Sequence, residues 1–156
     1  MELNQDFKEF IQLLNAHNVR YLVIGGYAVN FHGYPRYTKD LDFWIWLNEK
    51  NIDNLLSALK AFGFGALGLS NADFSDPNNV IQLGYEPYRI DILVSLEGLV
   101  FEHCFEQRAI AEFEGTALNY LNIDDLIKAK LQTARPQDLA DADKLQKLKN
   151  KMKPKL

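Results

Sequence analysis

The chain has 156 residues and a mass of 17.9 kDa, a size that fits one domain. It is 47% apolar and 24% charged, the composition of a folded globular protein rather than a disordered one, and its net charge of −4 is not the balance of a nucleic-acid binder. No apolar run approaches the ~20 residues that span a bilayer, the acidic, amphipathic start MELNQDFKEF is unlike a signal peptide, and a lone cysteine, Cys104, excludes an internal disulfide, so a reducing cytoplasm is the expected compartment.

Residues 4–17 set Phe7, Phe10, Ile11 and Leu14 at i, i+3, i+4 and i+7, one stripe of an amphipathic helix. Tyr21–Ile24 is a short apolar run stopped by Gly25-Gly26, which predicts a buried strand ending at a tight turn. Tyr27–Phe31 allows a turn or two of helix before Gly33 and Pro35 break it. Leu41–Leu47 reads as a strand, and residues 51–62 as a helix with Ile52, Leu55, Leu56, Leu59 and Phe62 on one face. Gly63–Asn79 reads as a long loop, a place where function or mobility concentrates. Strands are predicted at Val80–Leu83 and Tyr88–Ser95 around a turn at Gly84–Pro87. A hairpin follows, with Arg108–Phe113 and Thr116–Leu121 flanking Glu114-Gly115. Asn122 and Asp125 have capping-box spacing ahead of a helix to about Ala134. Pro136 then opens the last helix, with Leu139, Ala142, Leu145 and Leu148 as its apolar face. This order predicts an α/β (α+β) domain with a mixed sheet, spanning residues 1–150 and followed by a basic tail, 151–156.

Two acids, Asp40 and Asp42, open the second strand in T-K-D-L-D-F-W-I-W. Side chains at i and i+2 of a strand share a face, so both carboxylates point the same way. Like charges that close need neutralising, and a divalent cation such as Mg²⁺ does so with hard oxygen ligands. Asp91 lies mid-strand in Y-R-I-D-I-L-V, where an acid is costly unless it faces a site or a partner. If that strand lies beside the first, three carboxylates converge in a geometry suited to two metal ions. Glu86 is the nearest competing acid, but Gly84 and Pro87 put it in a turn, which favours Asp91. Upstream, Gly25-Gly26 lets the backbone approach a ligand closely, and free N–H groups at a helix start favour an anion. Thirteen residues separate Gly26 from Asp40.

The segments I-G-G-Y-A-V-N-F-H-G-Y-P-R-Y-T-K-D-L-D-F, L-G-Y-E-P-Y-R-I-D-I-L and D-D-L-I-K-A-K-L-Q-T-A-R-P-Q-D-L-A-D together resemble the polymerase-β-like nucleotidyltransferase superfamily. The likeness is greatest to its small prokaryotic members, the lincosamide-type and abortive-infection-type enzymes, and runs from about Tyr21 to Leu148. It implies the minimal nucleotidyltransferase fold, a short mixed sheet with helices mainly on one face. It also implies transfer of a nucleotidyl group from a nucleoside triphosphate to a hydroxyl, with release of pyrophosphate. On these residues, Gly25 and Gly26 contact phosphates, Asp40 and Asp42 hold Mg²⁺, and Asp91 completes the metal site and acts as general base. Where many relatives have Gly-Ser, this chain has Gly25-Gly26 and lacks that hydroxyl donor. Lys130 is a triphosphate contact on the same likeness, and Arg36 and Thr38 reach phosphate from the loop ahead of Asp40. Asp138 and Asp141 match the subgroup motif; they also suit a helix N-terminus or a pairing with Arg135.

His32 reads as structural, and His103 and Cys104 lack the spacing of a nucleophile pair. Trp44 and Trp46 share the face of Asp40 and Asp42. Either the C-terminal helices cover them, or they form an apolar wall for a base, an acceptor or a partner. Six lysines and no acid follow Asp143, a solvated helix end or a weak contact for RNA or an acidic partner. The acceptor could be a small molecule, an RNA or a protein, and 156 residues leave little room for a separate substrate domain. The alternative is a binding or regulatory module of a toxin–antitoxin-type pair, acting through a protein partner or as a homodimer.

Overall fold

A computed structural model describes residues 4–65, 68–85 and 88–152. The elements in chain order are α1 (Gln5–Ala16), β1 (Tyr21–Ile24), α2 (Gly25–Phe31), β2 (Leu41–Ile45), α3 (Glu49–Leu59), β3 (Val80–Tyr85), β4 (Tyr88–Leu93), α4 (Phe101–Glu106), β5 (Ala109–Phe113), β6 (Thr116–Tyr120), α5 (Ile123–Thr133) and α6 (Pro136–Met152). The strands form one six-stranded mixed sheet in the order β3-β4-β2-β1-β6-β5. β2 runs parallel to β4 and β1 parallel to β6, while the other neighbours are antiparallel.

The two faces of the sheet have different chemistry. Leu41, Phe43 and Ile45 of β2 are fully buried on one face. There Phe43 meets Phe10 of α1 edge-on at 5.3 Å and Tyr21 at 5.5 Å. The predicted stripe of α1, Phe7, Phe10, Ile11 and Leu14, is buried as its spacing requires, and Asn4 caps the helix by accepting from the Asp6 amide. Asn51 of α3, itself buried, accepts from the Arg20 amide and donates to the carbonyls of Arg20 and Trp46, tying the outer ends of β1 and β2 to α3. The opposite face carries the acids.

Several elements differ from the sequence reading. Helix α2 starts at Gly25 itself, not after the glycines. β2 ends at Ile45, so Leu47 is exposed. The described part of the expected Gly63–Asn79 loop carries helical turns of its own. A π-helical turn covers Lys60–Phe64, and a 3₁₀ turn at Asn71–Phe74, boxed by Ser70 and Asp73, buries Phe74. Helix α4 went unpredicted, because six residues are too few to display a helical period. It covers the end of the acid-bearing face: Phe101 packs edge-on against the buried Trp44 at 5.1 Å, and Glu102 accepts from the Trp46 indole N–H. Trp44 is therefore covered by α4 rather than by the expected C-terminal helices, and it is not an open apolar wall. Helix α6 continues past residue 150 to Met152, so Lys151 belongs to the helix. Its buried face holds Asp138, Asp141, Ala142 and Leu145, while the expected Leu139 is exposed.

Candidate active site

The parallel register of β2 and β4 sets Asp42 directly beside Asp91. Asp40 lies two residues upstream, just ahead of β2, and opens on the same cleft. Burial raises the Asp42 carboxyl to about 7, and the neighbouring charges of Asp91 and Asp40 push the same way. Such crowding is what a strongly charged, oxygen-seeking cation relieves. Arg89, on the same strand face as Asp91, lies among these acids. Its Nε donates to Asp91 Oδ1 at 2.7 Å, and its Nη2 to Asp91 Oδ2 and Asp40 Oδ2, both at 3.1 Å. Among the described residues, no three carboxylate, imidazole or thiol groups already stand as a closed metal shell. The chemistry of the three converging acids nonetheless suits a hard divalent cation, which Asp40, Asp42 and Asp91 would hold.

Facing the acids is the Gly25-Gly26 backbone. Gly25 has φ +68°, and a Cβ there would stand 2.2 Å from Asp42 Oδ2; one on Gly26 would stand 2.7 Å from Thr38 Oγ1. Both glycines are needed so that β1, Asp42 and the Thr38 loop can approach one another. Thr38 donates its hydroxyl to the Asp40 carbonyl at 3.2 Å, bracing the turn into β2. Gly25→Ala is accordingly expected to cost about 1–3 kcal/mol through its left-handed backbone and to displace Asp42. A melting temperature equal to wild type would show that the turn adapts.

The third wall of the cleft is basic and comes from α5, α6 and the loop before β2. Asp141 is fully buried. It accepts from Arg36 Nη1 at 2.6 Å and from Gln137 Nε2 at 2.9 Å, and pairs with Lys130 Nζ at 3.2 Å. Asp138 accepts from Lys130 at 3.0 Å, Thr133 Oγ1 at 2.6 Å and Arg135 Nε at 2.9 Å. Burial alone would raise its carboxyl. The hydrogen bonds from Thr133 and Lys130, with the charges of Lys130 and Arg135, outweigh that and hold it below the usual range. The two aspartates thus fix three cationic heads along one side of the cleft. Arg36 and Lys130 retain further N–H donors beyond those bonds.

The resulting cleft has a volume of about 520 Å³ and is lined by Gly25, Gly26, Arg36, Thr38, Asp40, Asp42, Asp91, Lys130, Arg135, Gln137 and Asp138. Every residue singled out for phosphate or cation contact thus lies on one cavity. Glu86, the competing acid, lies outside the described residues. Arg89 was not singled out, although the signal was present: a cation at i−2 of a strand acid shares its face. Arg135 and Gln137 were likewise missed as lining residues. His32 is structural, since its Nε2 donates to the Leu121 carbonyl at 2.7 Å and burial lowers its pKa. Cys104 is buried, and its thiol is pushed up to about 12, mainly by that burial, which makes it a poor nucleophile.

The mixed sheet's adjacent parallel strands thus present paired acids across one cleft from the Gly25-Gly26 backbone. The family model described as "Nucleotidyl transferase of unknown function (DUF2204)" matches residues 3–156, and the chain belongs to that family. No curated protein sequence matches it. Among solved structures, it is similar to the lincosamide antibiotic adenylyltransferase LnuA in its lincomycin-bound form, at 15% identity and a TM-score of 0.59, covering 94% of this chain and 98% of that one. It is similar to an antigenic nucleotidyltransferase-like protein from Paracoccidioides brasiliensis, at 15% identity and 0.56, covering 98% and 80%. A Thermotoga maritima protein described as a candidate nucleotidyltransferase matches at 14% and 0.56, covering 92% and 90%. At these identities the likeness concerns the fold. No helix among the described residues is long and apolar enough to cross a membrane.

Proposed function

We propose that this chain transfers a nucleotidyl group from a nucleoside triphosphate to a hydroxyl acceptor in a Mg²⁺-dependent reaction. The observation that carries it is the pairing of Asp42 with Asp91 across β2 and β4, with Asp40 beside them, opposite Gly25-Gly26 in one cleft. The basic wall of Arg36, Lys130 and Arg135 suits the triphosphate charge, and the glycine backbone lets the phosphates come close. When bound, Mg²⁺ supplies charge neutralisation at the phosphates and lowers the barrier to displacement. Asp91 takes the proton of the acceptor hydroxyl as its oxygen bonds to the α-phosphorus. The bond from that phosphorus to the pyrophosphate oxygen breaks, and Lys130 and Arg36 face the departing charge. Positioning and electrostatic preorganisation carry most of the rate in such a scheme.

Titration calorimetry with a non-hydrolysable triphosphate tests the proposal. Wild type is expected to bind in the presence of Mg²⁺, and Asp40→Ala to lose that binding. Equal binding by both proteins, with or without Mg²⁺, would sink the assignment. Absence of binding by either would favour the partner-binding module of a toxin–antitoxin-type pair.

A further inference from the structure

Arg89 stands where the chemistry would put a cation. Its guanidinium grips both oxygens of Asp91 at 2.7 and 3.1 Å and, through Nη2, Asp40 at 3.1 Å. These are two of the three carboxylates assigned to the metal. The geometry is the planar fork that guanidinium presents to carboxylates and phosphates alike. The side chain is about a quarter exposed (26%), so it has room to leave without unpacking the core. It also lies on β4, two residues from Asp91 and on the same face, at the end of a long side chain with several rotatable bonds.

Resting on the nucleotidyl-transfer reading above, we propose that Arg89 is a resident counter-ion that bars free divalent cations from Asp40 and Asp91 and moves onto the triphosphate when the nucleotide arrives, so that cation and nucleotide load together. The balance follows from charge. Mg²⁺ sheds its water reluctantly and gains little from carboxylates already paired with a guanidinium. A triphosphate changes this, because its oxygens offer the fork an equivalent partner and at the same time add ligands for the cation. The two events favour each other, and by linkage each strengthens the other's binding to the same degree. Arg89 is in this sense a nucleotide-contacting residue that also sets the order and the coupling of loading, while the acids hold the cation.

The test measures Mn²⁺ binding directly, from the loss of the free-ion electron paramagnetic resonance signal, with and without a non-hydrolysable triphosphate. Wild type, Arg89→Gln and Arg89→Lys are compared. In the absence of nucleotide, Arg89→Gln is expected to bind Mn²⁺ roughly tenfold or more tightly than wild type, the scale on which a like charge at contact distance acts. Arg89→Lys, a point charge without the fork, is expected to fall between them. Adding the triphosphate should raise Mn²⁺ affinity strongly in wild type and much less in Arg89→Gln. Divalent cation should also raise the melting temperature of Arg89→Gln more than that of wild type, a readout that a purely structural salt bridge would not move. Should Arg89→Gln fail to fold without metal, recovery of a cooperative melt on adding Mn²⁺ carries the same expectation. Free Mn²⁺ bound no more tightly by Arg89→Gln than by wild type overturns the proposal. So does an Arg89→Gln chain that Mn²⁺ cannot fold beside an Arg89→Lys chain with wild-type affinity. Failure of the wild type to bind the triphosphate with Mn²⁺ sinks the nucleotide reading instead, and is separately visible because the free Mn²⁺ comparison needs no nucleotide.

Discussion

Asp91→Asn is expected to abolish nucleotidyl transfer while leaving the fold in place. Asparagine has nearly the shape of aspartate, and Asp91 sits in the interior of β4, paired on one side with β2 and on the other with β3. The amide cannot accept a proton as a base, nor ligate a cation as a carboxylate does. Loss of a positioned general base alone costs ~10²–10⁴-fold in rate, and loss of a cation ligand adds to that. The substitution also removes the Asp91 charge, one of the two that help hold Asp42 up near 7. Relief of part of the repulsion in the acid cluster is set against loss of the charge that Arg89 grips, so the variant is expected to keep a cooperative melt. Active sites commonly hold such strain at a cost in stability. The check is a transfer assay with labelled nucleotide alongside a melting curve. Undiminished transfer would move the third acid elsewhere, with Glu86 next in line.

The largest loss of stability is expected at Asp141→Ala. This carboxylate is fully buried, yet it ties Arg36 from the loop before β2 to Lys130 of α5 and Gln137 of α6. Removing one member of a buried ionic network leaves the others short of a counter-charge, a cost of about 3–5 kcal/mol in enclosed pairs. Arg36 remains partly in water and Lys130 keeps Asp138, so the cost falls below that range, about 2–3 kcal/mol. In a domain of this size that lowers the melting temperature by roughly 5–10 °C. Asp141→Asn keeps an acceptor for Arg36 and should lose clearly less. A melting temperature for Asp141→Ala within about 1 °C of wild type would show that the network does not hold the helices to the loop.

The local parts of this design were legible in the sequence. The i, i+3, i+4 spacing in α1 and α3, the Asn122 cap and the shared face of Asp40 and Asp42 follow from short-range rules, and the structure shows each of them. What joins distant segments was less legible. Asp42 and Asp91 become neighbours because β4 inserts parallel to β2, a choice made by packing across 48 intervening residues. Asp141 inverts the rule that apolar positions face inward. Leu139 is left outside because the buried charge answers two cations from other elements, and no helical period encodes such a partnership. Arg89 lay in plain view beside Asp91, but its bond to Asp40, 49 positions away, exists only once the sheet is assembled.

The pairing of Arg36 with Asp141 spans 105 positions, and it has a consequence for the chain as it is made. The ribosome delivers the glycine turn and the acids of β2 early. The carboxylates that orient the cationic wall arrive with α6, the last helix described. Until α6 is made, the pocket is acidic and self-repelling, and Arg36 lacks its buried counter-charge. Arg36 gains its anchor only once α6 has been made and docks, so the cationic side of the cleft is set later in synthesis than its acidic side.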